Sequence, residues 1–185
     1  ERVFSHSTTL DNAGKSVHQP IYHIDLFFHP IGFVNPENSK EFYYMIAEPI
    51  KVEGNRNAKI AYLKEVLANT ADTIDMQLSD LNLTPKRIKV PLGVSYHKTI
   101  PYRVLRFYSF LNGLMEWRNG NLQYLFPKYE GEPKVYSDSV DTAVVRLKKI
   151  LTDATGQEPS FLPIPSIDYG KDYGLRCQVK VIDRN

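Results

Sequence analysis

Three stretches of the chain repeat apolar residues at helical intervals, and others alternate them at the interval of a strand. In the first, Ile60, Leu63, Leu67, Ala71, Ile74, Leu78 and Leu81 step by three and four, while Lys64, Glu65, Asp72, Asp75 and Asp80 take the opposite face. This predicts a helix that begins near Asn57 and ends at Thr84-Pro85, because proline disfavours a helical predecessor. Thr70 and Gln77 fall where a coiled-coil seam wants apolar groups, so the pattern is that of a core-facing helix. A second helix is expected from Pro101 to Trp117. It is apolar over most of its circumference, with only Arg106, Ser109, Gly113 and Glu116 on a polar stripe, so it belongs inside the domain or at an oligomer interface. The third follows Ser137-Asp138-Ser139, with Val140, Val144, Leu147, Leu151 and Ala154 inward and Gly156 placed to close it.

Strand signals come from alternation. Tyr22, Ile24, Leu26 and Phe28 share one face of an expected strand, with His23, Asp25 and Phe27 on the other. Ile88, Val90 and Leu92 alternate with Arg87, Lys89 and Pro91; Leu175, Cys177, Val179 and Val181 alternate with Arg176, Gln178 and Lys180. The apolar run from Phe42 to Ile46 is read as a shorter strand, with a helical turn the alternative its length also fits, and Pro127 to Ser137 and Gln157 to Gly174 as loops. Clean alternation implies sheets with one wet face. The expectation is therefore a single α+β domain with an antiparallel sheet and about three helices. Residues 1–156 would form the core, and 157–185 a Pro-rich connection and C-terminal strand returning to the same sheet.

Composition narrows the class. A chain of 185 residues with 42% hydrophobic and 24% charged residues is ordinary globular protein, large enough to bury a core without staples. No apolar run approaches the roughly 18 residues that span a bilayer, so no membrane partner is expected. One cysteine, Cys177, excludes an intrachain disulfide and a cysteine-based zinc site, which fits a cytoplasmic location. No cofactor is expected.

Net charge is only +2, but its distribution is uneven. Between Asp80 and Glu116 there is no acidic residue, while Lys86, Arg87, Lys89, Lys98, Arg103 and Arg106 are interleaved with His97, Tyr96, Tyr102, Phe107 and Tyr108. Cations along a strand and its following turn suit phosphate contacts, and Arg176 and Lys180 would extend the same face if the C-terminal strand is a neighbour. The competing reading is local neutralisation by Glu65, Asp72 and Asp75 on the first helix. His23, Asp25 and His29 have the even spacing of one strand face, where a metal ligand set competes with an ordinary hydrogen-bonded row. Asn12-Ala13-Gly14-Lys15-Ser16 ends like a phosphate-binding loop but follows no apolar strand, so it reads as a turn with a solvated lysine.

Two His-x-Thr-type units, His6-Ser7-Thr8 and His97-Lys98-Thr99, resemble those of the 2H phosphoesterases. That resemblance implies a general base and a general acid facing each other across a phosphodiester, with His6, Thr8, His97 and Thr99 as the catalytic set. A second likeness runs from Ile60 to Leu114. Its Lys89-Val90-Pro91-Leu92-Gly93-Val94-Ser95 segment, followed by Pro101-Tyr102 and an apolar stretch, resembles AcaB-type proteins of conjugative elements. This resemblance implies a ribbon-helix-helix-like regulator with Arg87 and Lys89 on the DNA-reading ribbon.

The reading preferred from sequence is binding rather than catalysis: a nucleic-acid-binding accessory or regulatory protein, DNA being the favoured partner, of a mobile genetic element or virus. The alternatives are the phosphodiesterase and a non-catalytic interaction subunit. A homo-oligomer or protein contact would use the segment Pro101–Trp117.

Overall fold

The computed structural model describes residues 9–10, 16–17, 24–35, 37–52, 57–98, 103–118 and 121–166, with side chains for all except 9–10, 16–17, 57–59, 96–98, 103–106 and 166. The C-terminal strand Leu175–Val181 expected from sequence lies outside these residues. So do Tyr22, His23, Cys177 and the stretch from 167 to 174. A minimal hairpin pairs β1 (Thr9–Leu10) with β2 (Ser16–Val17). A turn of 3-10 helix at Ile24–Leu26 then leads to β3 (Phe28–Gly32), β4 (Glu41–Lys51), α1 (Asn57–Asp80), β5 (Thr84–Lys98) and β6 (Arg103–Ser109). After these come β7 (Leu114–Arg118), β8 (Asn121–Tyr129), α2 (Lys134–Thr155) and β9 (Ser160–Ser166).

One sheet has the order β3-β4-β5-β6 and another β7-β8-β9. Both are mixed. The pairs β3–β4, β5–β6 and β7–β8 are antiparallel, but β4–β5 and β8–β9 are parallel. The α+β class therefore holds, while the purely antiparallel sheet does not. Parallel neighbours need a long crossover, and α1 and α2 supply it. The same order, an antiparallel hairpin, a helix and a strand parallel to the second hairpin strand, occurs twice in a chain whose sequence shows no repeat.

Among the described residues only two α-helices form. The segment expected as the helix Pro101–Trp117 is instead β6, a connector Phe110–Gly113 and β7, residues 101 and 102 lying outside the described set. Its apolar middle is the buried connector, while the end of β7 reaches solvent. Phe110 and Leu111 are fully buried, as is Asn112. The connector's polar atoms find side-chain partners: Tyr124 OH donates to Phe110 O at 2.8 Å, His29 Nδ1 to Leu111 O at 3.4 Å, and Leu111 N to Ser109 Oγ at 3.2 Å. A buried non-helical backbone survives only with such partners. Gly113 is required here because a Cβ would collide with Leu125 O and the Tyr124 ring.

The other helices follow their sequence pattern. On α1, Leu63, Leu67 and Ala71 are buried, and Thr70 is accommodated by donating to Val66 O at 2.8 Å. The helix stops earlier than expected, with Asn82 in the left-handed region at φ 58°, so Thr84-Pro85 starts β5 instead of ending α1. On α2, Tyr136, Val140, Ala143, Leu147 and Leu151 are buried, and Gly156 closes it at φ 73° by donating to Thr152 O. It begins at Lys134, after an extended Pro133 and ahead of the expected Ser137-Asp138-Ser139 caps.

Two further expectations are corrected. Ile24–Leu26 is 3-10 helix, so the strand expected from Tyr22 begins only at Phe28. The Pro-rich loop contains β9, which among the described residues is an edge strand, a place where the N–H groups missing at Pro163 and Pro165 are tolerated.

Candidate nucleic-acid interface

The basic residues singled out from sequence lie along β5 and β6, and the fold divides them into two groups. In the first, β5 runs beside β4 in the register Tyr43↔Lys86, Tyr44↔Arg87 and Ile46↔Lys89. That register brings β4 carboxylates to the two lysines. Lys86 Nζ lies 2.8 Å from Glu41, and Lys89 Nζ lies 3.5 Å from Glu48. Arg87 bridges β5 to α1: its Nη2 donates to Asp72 at 2.7 Å and to Asp75, and its Nε donates to Tyr44 OH at 3.1 Å. Tyr44 OH in turn donates to Asp75 at 2.5 Å.

The electrostatics follow from this geometry. Burial alone lowers the Arg87 pKa, but the hydrogen bonds to Asp72 and Asp75 outweigh it and hold the guanidinium charged even above its usual range. Burial, then the bond to Asp75, raises the Tyr44 phenol. Burial also pushes Tyr43 up to about 12, helped by its hydrogen bond to Glu41. The hydrogen bonds from Lys86 and Tyr43 lower Glu41. Arg87 is thus committed to α1, and Lys86 and Lys89 have carboxylate partners on β4. Of the neutralising acids named from sequence, Asp72 and Asp75 take that role, while Glu41 and Glu48 were not foreseen. Two clefts of about 240 and 380 Å³ flank the Glu48–Lys89 pair; the larger also holds Asp138 and Arg146, so its charges are of both signs.

The second group is Lys98, Arg103 and Arg106. Strand β4 accompanies β5 only as far as Lys51↔Val94, whereas β6 pairs with β5 from Leu92↔Ser109 to Lys98↔Arg103. Beyond Val94, residues 95–98 and 103–106 therefore continue as a two-stranded ribbon of four residue pairs with no third strand among the described residues. At roughly 3.3 Å per residue, four pairs extend about 13 Å. The register sets Lys98 opposite Arg103 and Ser95 opposite Arg106. The Gly93–Tyr96 stretch, a poor strand by composition, belongs to β5: Gly93 is extended backbone against which the Tyr136 and Tyr108 rings pack.

Arg176 and Lys180 lie outside the described residues, as do His6, Thr8 and Thr99; His97 sits on β5 opposite Val104. His29 does not present a ligand row with Asp25. It is buried, bonded to Leu111 O and edge-on to the Tyr124 ring at 5.4 Å, while His23 is outside the described set. Among the described residues no cluster of three or more His, Cys, Asp or Glu is placed to hold a metal, and no helix is long and apolar enough to cross a membrane.

The chain matches no protein-family model, no curated protein and no solved structure in the comparisons made.

Proposed function

We propose that this protein binds nucleic acid through the ribbon formed by the outer halves of β5 and β6. The observation that carries the reading is the register pair Lys98↔Arg103 at the ribbon's end, with Arg106 three residues further along β6. Like charges directly opposite on adjacent strands destabilise a sheet, so an anionic partner is the natural source of compensation. A two-stranded ribbon also matches the width of a DNA major groove, about 12 Å, and a reach of about 13 Å exceeds its depth of about 8.5 Å. Duplex DNA is therefore the favoured form, and an accessory or regulatory role in a mobile element or virus is the corresponding biological reading. The cations with carboxylate partners, Lys86, Arg87 and Lys89, are support for this surface and not its contacts.

The test is an electrophoretic shift and anisotropy series with duplex and single-stranded DNA and RNA across salt concentrations. The variant Lys98→Ala/Arg103→Ala should weaken binding to all sequences and reduce the salt slope by about 2. Lys89→Ala, which leaves Glu48 solvated, should change affinity little. Absence of binding at about 50 mM salt refutes the function. Binding unchanged in the Lys98/Arg103 variant refutes the surface. Nothing among the described residues favours the two-histidine phosphodiesterase, whose His6, Thr8 and Thr99 lie outside them.

A further inference from the structure

Among the described residues, the outer strands of the two larger sheets other than β7 carry edge protections that differ from strand to strand. On β3, Pro30 and a register shift between Pro30 and Gly32 break the outer edge. On β9, Pro163 and Pro165 remove donors. Residues 84–91 of β5 have no β6 partner. Alternate residues of a strand turn their polar groups to opposite sides. Thr84 N bonds to Lys40 O and Val94 O accepts from Val52 N, both on the β4 side, so Pro85, Arg87, Lys89 and Pro91 face the open side. Two of these four lack an N–H, and Arg146 on α2 donates to Lys89 O. On β6, the Tyr129 hydroxyl bonds both Ser109 N and Ser109 O at 3.2 Å. These are the usual protections against unwanted strand pairing.

Strand β7 lacks a proline, a bulge and a side-chain or helix cap among the described residues. It is the outer strand of its sheet, it carries no proline or bulge, and it presents Glu116, Trp117 and Arg118 to solvent, Trp117 being 50% exposed. Neither Glu116 nor Arg118 has an ion-pair partner among the described residues; the residues opposite them on β8 are Gln123 and Asn121. Only two residues separate Arg118 from Asn121, so this flanking pair exchanges both backbone bonds, and so do Glu116–Gln123 and Leu114–Leu125. Met115 and Trp117 consequently aim their N–H and C=O groups outward.

We propose that β7 is a self-association edge, and that a second copy of this chain adds its own β7 antiparallel across a two-fold axis centred on Trp117. The sequence Glu116-Trp117-Arg118 is complementary to itself in that register. Trp117 pairs with the partner copy's Trp117 through two backbone hydrogen bonds. Glu116 stands opposite the partner copy's Arg118, and Arg118 opposite its Glu116, in the closer, non-hydrogen-bonded positions. A two-fold contact of this kind is isologous, so one sequence patch satisfies both partners. The pairing follows the strand-addition mode, in which main-chain bonds supply affinity and side chains supply register. It is independent of the nucleic-acid reading and does not use the ribbon.

The chain contains one tryptophan, so its fluorescence reports on this interface directly. Sedimentation over a concentration series should show a reversible dimer, with Trp117 emission moving to shorter wavelength as the dimer forms. Glu116→Arg and Arg118→Glu each place like charges opposite one another and should weaken dimerisation about tenfold or more. The double variant Glu116→Arg/Arg118→Glu restores both pairs and should return the dimer to within about threefold of the parent. Far-UV circular dichroism of each variant confirms the fold, and the double variant guards against a single variant that unfolds. A chain that stays monomeric at high-micromolar concentration overturns the proposal, whether because the edge is empty or because another segment of the same chain covers it. So does a dimer that either single variant leaves intact, or that the double variant fails to restore.

Discussion

Gly93→Ala tests the packing of α2 on β5, because two opposed effects act at that position and the geometry decides between them. Replacing a strand glycine by alanine ordinarily stabilises a protein by about 0.4–1 kcal/mol, since the unfolded chain loses freedom. Here the added Cβ would lie 2.8 Å from Tyr136 Cδ2, 3.1 Å from Tyr108 Cβ and 3.3 Å from Tyr108 Cδ2. The first is a collision, and the second requires Tyr108 to shift where its Cβ is tied to backbone. Tyr136 has little room to withdraw. It is fully buried, and its ring lies 5.6 Å from Tyr108 and 6.3 Å from Tyr129. Overpacking of this kind costs about 1–3 kcal/mol. The collision outweighs the entropy gain, so the variant should lose about 1–2 kcal/mol net. Urea unfolding followed by circular dichroism measures this as a lower midpoint at unchanged slope. The companion Tyr136→Leu, which removes the ring edge, should make the Gly93→Ala step less costly in its background than in the parent. Equal or greater stability of Gly93→Ala in the parent would refute the packing of Tyr136 on Gly93.

Two further outcomes follow from the Arg87 cluster and its neighbours. Arg87→Met removes hydrogen bonds to charged partners, with the Arg87 and Asp75 side chains 23% and 28% exposed, and should cost about 1–3 kcal/mol in urea unfolding; Asp75→Asn in the Arg87→Met background should recover part of that loss. Tyr43 and Tyr44 are raised above the ordinary phenol value in the folded chain, so the unfolded chain gives up its protons first; stability should be full below pH 10 and fall as pH rises toward about 12, and Phe at both positions should flatten that decline.

The two helices that form were legible because their signal is local. The steps Leu63, Leu67, Ala71 and Val140, Leu147, Leu151 are a property of neighbouring turns, and the burial of these residues follows the same steps. The strand from Phe42 to Ile46 was legible too. Its run of five buried residues, Tyr43 to Ala47, is the continuous apolar pattern of a strand covered on both faces, which is the mark of parallel pairing. That mark was in the sequence, but clean alternation elsewhere pointed to antiparallel sheets. The Pro101–Trp117 segment failed for a related reason. A run of apolar residues does not distinguish a central helix from two strands joined by a buried connector.

The chemistry divides in the same way. Residue order by itself determined where cations concentrate and which residues step along each helix, since both are read within a few positions. Tertiary structure alone decided which cations have carboxylate partners. Glu41 and Glu48 meet Lys86 and Lys89 because a parallel register, closed by a helix of 24 residues, sets β4 beside β5. The same register ends at Val94, and among the described residues β5 and β6 continue beyond it as a pair with Lys98 opposite Arg103. Strand partners lie tens of residues apart, and no local pattern encodes where one strand stops accompanying another.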